Sequence, residues 1–154
     1  MTGGSTLRIP SVAERTVVPG PPLFSLPIAV RWSDLDADGR VNNTVILRYC
    51  EEARMQWLQS LGLAVAPQPC FPVLASMGCR YEQAVRYTDS LVVDVYCARM
   101  GHSSMDVFFH VRGVLAPRPT HAVVAIVWVW IDARAERPVP VPQLLRERCA
   151  ASTA

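Results

Sequence analysis

The stretch Asn42-Asn43-Thr44-Val45-Ile46-Leu47-Arg48-Tyr49-Cys50-Glu51-Glu52-Ala53-Arg54-Met55-Gln56-Trp57-Leu58-Gln59-Ser60-Leu61-Gly62 decides the fold. Ile46, Tyr49, Cys50, Ala53, Trp57, Leu58 and Leu61 recur at three- and four-residue steps, which places them on one stripe of an α-helix. Arg48, Glu51, Glu52, Arg54, Gln56 and Gln59 take the remaining faces. Arg48–Glu52 and Glu51–Arg54 fit surface pairs worth only about 0.2–0.5 kcal/mol each. Asn42 or Asn43 suits the N-cap, where a short polar side chain accepts from the open N–H groups of the first turn. Gly62 suits the position just past the C-terminus, where the backbone turns left-handed. No other segment carries so long a helical pattern.

On either side of this helix the pattern is that of strands. Ile28, Val30 and Trp32 alternate with Ala29, Arg31 and Ser33, and Pro27 belongs at the start of that strand or on a sheet edge. Residues 64–72 contain three prolines and read as an irregular connection. Strand-like runs follow at Met77–Tyr87, Leu91–Arg99, Met105–Leu115 and Ala122–Asp132. Their short links imply antiparallel pairing, because parallel strands need a crossover of a dozen or more residues. A short helix at Gln143–Cys149 follows a proline-rich segment. One long helix with an apolar stripe and one antiparallel sheet bury each other best when the sheet curls around the helix, an α+β arrangement. Trp128 and Trp130 share one face of the last strand and Val127 and Val129 the other, so the second face is expected to meet another subunit.

The 154 residues, 51% of them hydrophobic, suit one domain with one core. The expected organisation is a flexible N-terminal tail over 1–22, rich in Gly, Ser, Pro and Thr, a single domain over 23–148, and a C-terminal tail over 149–154. A formal net charge of +2 gives no polyelectrolyte partner, and Trp128 and Trp130 lack the basic cluster of a nucleic-acid platform. All the basic residues are arginines, which suits phosphate recognition or reflects GC-rich coding. The five cysteines, an odd number without a CxxC pair, argue against a disulfide framework or zinc ribbon. His102, His110 and His121 have no metal-ligand spacing. No charged start precedes a long apolar run, and the most apolar stretch, Ala122 to Ile131, is too short to span a bilayer. No membrane association is expected, and the expected compartment is the cytoplasm.

Directly before the helix lies Ser33-Asp34-Leu35-Asp36-Ala37-Asp38-Gly39-Arg40-Val41. Three carboxylates run into a helix N-terminus, whose open N–H groups and partial positive charge can hold an oxyanion. A carboxylate beside them can attack a carbonyl or activate water. Spacing alone also fits an ordinary turn, since Asp, Gly and Asn are loop and capping residues. A calcium loop is excluded, because Val45 stands where the twelfth-position carboxylate would be. Gly101-His102-Ser103-Ser104 is not a nucleophile elbow.

Residues 29–43, from Ala29-Val30-Arg31-Trp32 through Asp34-Leu35-Asp36 to Gly39-Arg40-Val41-Asn42-Asn43, resemble the opening of hotdog-fold acyl-CoA thioesterases of the 4-hydroxybenzoyl-CoA thioesterase class. The likeness continues through Leu47-Arg48-Tyr49, Glu51-Glu52-Ala53-Arg54 and Trp57-Leu58. It recurs at Tyr81, Arg86-Tyr87-Thr88-Asp89, Gly101-His102-Ser103-Ser104 and Arg137–Pro142, covering about residues 26–145. The resemblance implies a curved antiparallel sheet around one central helix. It also implies hydrolysis of acyl-CoA without a metal or other cofactor, at sites shared between subunits of a homodimer or homotetramer. It places the catalytic carboxylate at Asp36, as nucleophile or general base, and the oxyanion donor at the backbone N–H of Asn43. Asp34 would organise the loop. Asn42, with Arg99, His102 and Ser103 of the turn after the third strand, would contact the substrate, the last three near the CoA phosphates. Two positions depart from the pattern. Arg40 stands where His is usual and is placed to pair with a loop carboxylate, favouring its ionised form. Ile46 stands where an aromatic is usual and implies a pocket not shaped for an aryl group.

Two other readings share this fold. A hydratase or dehydratase would pair a His with an acidic residue near the helix, and no His precedes His102. A non-catalytic acyl-CoA or acyl-carrier binding module would bind without releasing thiol.

Overall fold

The computed structural model describes residues 20–64, 67–115 and 117–152. Of the expected tail, residues 1–19 lie outside the described residues. Strand β1 (Phe24–Ala29) comes first, then a single 3-10 turn at Trp32–Asp34 and helix α1 (Asn43–Ser60). Strands β2 (Cys70–Tyr81), β3 (Ser90–Met100), β4 (Ser104–Gly113) and β5 (Thr120–Asp132) follow, and helix α2 (Gln143–Ser152) ends the described chain.

Helix α1 forms as its spacing predicts. Ile46, Tyr49, Cys50, Ala53, Trp57 and Leu58 are buried. Asn42 is the N-cap, its Oδ1 accepting from the Thr44 N–H at 2.9 Å. At the other end Gly62 adopts φ +72°, its N–H reaching the Gln59 carbonyl while Leu63 N–H reaches that of Leu58. The Glu51–Arg54 pair forms, and Glu52 accepts from Gln56.

The sheet is fully antiparallel in the order β1-β3-β4-β5-β2. It presents Val93, Val95, Val107, Phe109, Val111, Val124, Ile126, Trp128 and Trp130 to one core with the α1 stripe. Trp57 and Trp128 stack at 6.2 Å between ring centroids. This is the expected hotdog arrangement, a curved sheet around one long helix. The apolar second face of the sheet is also seen: Phe108, Val123 and Ala125 form a separate buried cluster with Tyr96 against it.

Four local expectations are corrected. β1 lies over Phe24–Ala29, earlier than its alternation suggests, and Pro27 sits in mid-strand, tolerated because β1 is an edge. β2 begins at Cys70, inside the stretch expected to be irregular, and ends at Tyr81; Pro72 pairs with Trp130 on the opposite edge of the sheet. Of the consecutive strands only β3–β4 and β4–β5 pair; β1 and β2 lie at opposite edges with α1 between them in the chain, and residues 82–89 carry the chain from β2 across the end of the sheet to β3. Helix α2 spans Gln143–Ser152, three residues beyond the expected Gln143–Cys149, and buries Leu145 and Cys149. No helix among the described residues is long and apolar enough to cross a membrane.

Candidate active site

The acidic stretch before α1 is a tight hairpin. Leu35 bridges Val41, the Asp36 N–H donates to the Arg40 carbonyl at 2.7 Å, and the Gly39 N–H to the Asp36 carbonyl at 3.1 Å. Gly39 takes φ +72°, a conformation costly for residues with a Cβ. The three carboxylates then separate by role. Asp34 Oδ2 accepts from the Arg31 N–H at 2.8 Å and from the Tyr49 hydroxyl at 2.6 Å, tying the 3-10 turn to α1. Burial first, and the Asp34 carboxylate second, hold the Tyr49 phenol well above its ordinary pKa. Asp38 is exposed and ion-pairs with Arg40 at 3.0 Å. Asp36 Oδ1 accepts from the N–H groups of Asp38 at 2.9 Å and Arg40 at 3.1 Å. Its second oxygen, Oδ2, has no partner among the described residues.

The helix start completes the arrangement. Thr44 N–H is taken by the Asn42 side chain, and Val45 and Ile46 N–H groups reach the Asn42 carbonyl. The Asn42 N–H is used on the Asp34 carbonyl at 2.9 Å. The Asn43 N–H alone in this first turn has no acceptor among the described residues. Asp36 and Asn43 line the same cavity, of 240 Å³, together with Arg40, Ile46 and residues the sequence did not single out. A carboxylate with one oxygen fixed and one unspent, facing the same space as an open helix N–H, suits attack on a carbonyl and stabilisation of the resulting oxyanion.

The unforeseen wall comes from far along the chain. Tyr81, at the end of β2, donates its hydroxyl to the Asn43 carbonyl at 3.0 Å. Glu82 to Val85 follow it, and the Val85 carbonyl accepts from Val41 N–H at 2.9 Å. His121 on β5 also borders the cavity. It is buried, its Nδ1 donates to the Gln83 carbonyl at 3.3 Å, and its Nε2 lies 3.6 Å from where a Cβ on Gly113 would be. The ring is thus wedged between the 82–89 link and the end of β4. Tyr81 carried a signal only through the family likeness; His121 carried none.

Within one chain the structure does not bring Arg99, His102 and Ser103 to Asp36. Ser104 pairs with Val129 and Tyr81 with Ala122, so that turn lies at the opposite end of β5, about 24 Å away at 3.4 Å per residue. Arg99 is 4.0 Å from the buried Asp106. Arg146 on α2 donates to the Gly101 carbonyl at 2.8 Å and also to that of His102, fixing the turn. Among the described residues no three His, Cys, Asp or Glu side chains are grouped to hold a metal.

Comparison with known proteins bears on this geometry. PA2801 of Pseudomonas aeruginosa, a solved structure, is 32% identical with a TM-score of 0.78, over 82% of this chain and 97% of its own. A thioesterase from Thermus thermophilus, solved with coenzyme A and Zn, is 30% identical with a TM-score of 0.71, over 86% and 95%. YsmA of Bacillus subtilis strain 168 is 28% identical over 82 residues; the match spans about half of each protein, 53% of this chain and 56% of YsmA. The family model of the thioesterase-like superfamily matches residues 30–149, from the end of the first strand through the Asp36 hairpin and α1 into α2, and the chain belongs to that superfamily.

Proposed function

We propose that the protein hydrolyses acyl-CoA thioesters, with Asp36 as nucleophile or general base and the Asn43 N–H as oxyanion donor. The observation that carries this is the shared cavity: the Asp36 carboxylate, held by its own loop through Oδ1, and the one unspent N–H of the α1 start line the same 240 Å³. As base, Asp36 takes a proton from water as its oxygen adds to the thioester carbon. As nucleophile, it adds directly and forms an anhydride that water then opens. In both cases the negative charge grows on the carbonyl oxygen beside the Asn43 N–H. The carbon–sulfur bond breaks as the oxyanion collapses: on the base route the thiol leaves with the proton that Asp36 took from water, and on the nucleophile route it leaves as thiolate and takes a proton from solvent, while the water that opens the anhydride gives the acid and restores the Asp36 carboxylate. No cofactor enters these steps.

Asn42 supports the site by capping α1, which leaves the N–H of Asn43 as the open donor. Arg99, His102 and Ser103 serve the CoA phosphates from a second copy. The exposed edge of β2 carries Phe71, Leu74, Met77 and Tyr81, each at least 40% exposed. Two copies paired antiparallel along that edge bring the turn of one toward the Asp36 of the other, as a homodimer or as half of a homotetramer. The proposed compartment is the cytoplasm, where the five cysteines, none of them in a disulfide, stay reduced.

Thiol release from acyl-CoA, measured for wild type, Asp36→Asn and Asp36→Ala, tests the reading. Both variants should lose about 10²–10⁴-fold in kcat/KM while keeping the wild-type circular dichroism. Undiminished turnover in either removes Asp36 from the reaction. Binding of acyl-CoA by wild type without thiol release favours the non-catalytic module.

A further inference from the structure

Further open space lies along α1 beyond the Asp36 cavity. Two more cavities, each of 280 Å³, follow in the seam between α1 and β2. The nearer is walled by Leu47 and Cys50 of α1 and by Leu74 and Met77 of β2, with Trp128 behind them. The farther is bordered by Leu58, Leu63 and Phe71. The three cavities lie in order along both elements. Asn43 and Ile46, then Cys50, then Leu58 mark them on α1; Tyr81, then Met77, then Phe71 mark them on β2. Along α1, Ile46 borders the first and the adjacent Leu47, with Cys50, borders the second.

Arg54 divides the second cavity from the third. Arg54 and Pro72 are the residues that border both. The guanidinium lies 5.5 Å above the Trp128 ring and is ion-paired with Glu51, and its Nε is buried without an acceptor among the described residues. A side chain held by stacking and by an ion pair makes a fixed partition rather than a mobile one.

The geometry points to the α1–β2 seam as the channel for the acyl group and to Arg54 as the residue that sets its length, so that the substrate is an aliphatic acyl thioester of medium length. This rests on the thioester-hydrolysis reading above. With the carbonyl at the Asn43 N–H, the chain runs along α1 toward Arg54, eleven residues further on and thus about 16 Å away at 1.5 Å per residue. Helix side chains lean toward the N-terminus, so the guanidinium closes the channel before that point. An extended chain advances about 1.2 Å per bond, so acyl groups of about eight to twelve carbons fill the space without meeting the partition. Ile46, Leu47, Leu74 and Met77 offer aliphatic walls along this path, and each methylene buried against them should add about fourfold in affinity. An aryl group would fill only the first cavity and leave the second empty. A longer chain would have to displace the Arg54 guanidinium from Trp128 and Glu51.

The test is a straight-chain acyl-CoA series from butanoyl to hexadecanoyl, with benzoyl-CoA, assayed for thiol release by wild type, Arg54→Ala and Met77→Trp. Wild type should peak at medium length and fall at least tenfold by hexadecanoyl. Arg54→Ala joins the two cavities and should move the peak to longer chains. Met77→Trp fills the nearer cavity and should move the peak to shorter ones, which keeps the test open if Arg54→Ala does not fold; because Met77 also lies on the proposed pairing edge, light scattering checks that the variant keeps the wild-type assembly. Peaks that stay in place in the folded variants, or a wild-type preference for benzoyl-CoA, would overturn the channel while leaving hydrolysis standing. Calorimetric binding of the same series to wild type separates the other failure. Affinity that rises with length up to the medium range, with no thiol released from any member, supports the channel and rejects hydrolysis; affinity independent of length rejects the channel.

Discussion

The guanidinium of Arg40 lies 3.0 Å from the carboxylate of Asp38, not on Asp36; residue 40 reaches Asp36 through its backbone N–H, at 3.1 Å. The side chain that departs from the family pattern is therefore spent on an exposed neighbour, while the bond that orients Asp36 comes from the main chain. An exposed pair of this kind is worth about 0–1 kcal/mol.

Replacing the Arg40 side chain should accordingly matter little. Arg40→Ala is expected to change kcat/KM for thiol release by no more than about threefold. Arg40→Pro removes the N–H itself and should cost about 10–100-fold by letting the carboxylate drift. Equal losses in the two variants would place the guanidinium, not the amide, at the centre of the site.

Tyr49→Phe removes the hydroxyl that Asp34 accepts at 2.6 Å inside the protein. A hydrogen bond to a charged group contributes about 1.5–3 kcal/mol. For a chain of this size that corresponds to a fall in Tm of about 3–10 °C, readable by calorimetry. A Tm within a degree of wild type would mean that the Arg31 N–H alone secures Asp34.

His110 gives stability a dependence on mild acid. Burial pulls its pKa below the ordinary value, and the neighbouring Arg112 adds to this, against the opposing pull of Asp94 and Glu82. The native state thus binds the proton less readily than the unfolded chain. The resulting stability is complete above the unfolded pKa of about 6.5 and is lost as the pH falls through it toward the folded value. Urea midpoints at neutral pH and at about pH 5, taken for wild type and His110→Gln, should show a larger acid loss in wild type. Parallel losses would assign the acid sensitivity to other groups.

The elements legible in the sequence are those fixed by near neighbours. The α1 stripe, the Asn42 cap and the left-handed Gly62 each depend on residues within about two helical turns, and all three formed as read. β2 was misplaced because its prolines argue against a strand only when both edges are paired, and whether β2 is an edge depends on β5, some fifty residues away. The site divides in the same way. The hairpin from Leu35 to Val41 and the open Asn43 N–H follow from the local sequence. Tyr81, Val85 and His121 reach that hairpin only because the link after β2 crosses the end of the sheet. The adjacency of the Arg54 partition to Pro72 likewise depends on long-range packing.

The crossing of residues 82–89 also orders events during synthesis. The Asp36 hairpin and α1 leave the ribosome early and close on local contacts. The cavity wall at Tyr81 is held by β2, whose ladder partner along its whole length is β5. Loop closure over such a separation comes after local structure. A nascent chain that has not yet emitted Thr120–Asp132 therefore carries the acidic hairpin and the helix start without the chamber that confines a substrate between them. The cavity around Asp36 is therefore completed as a late, all-at-once event, when the last strand docks.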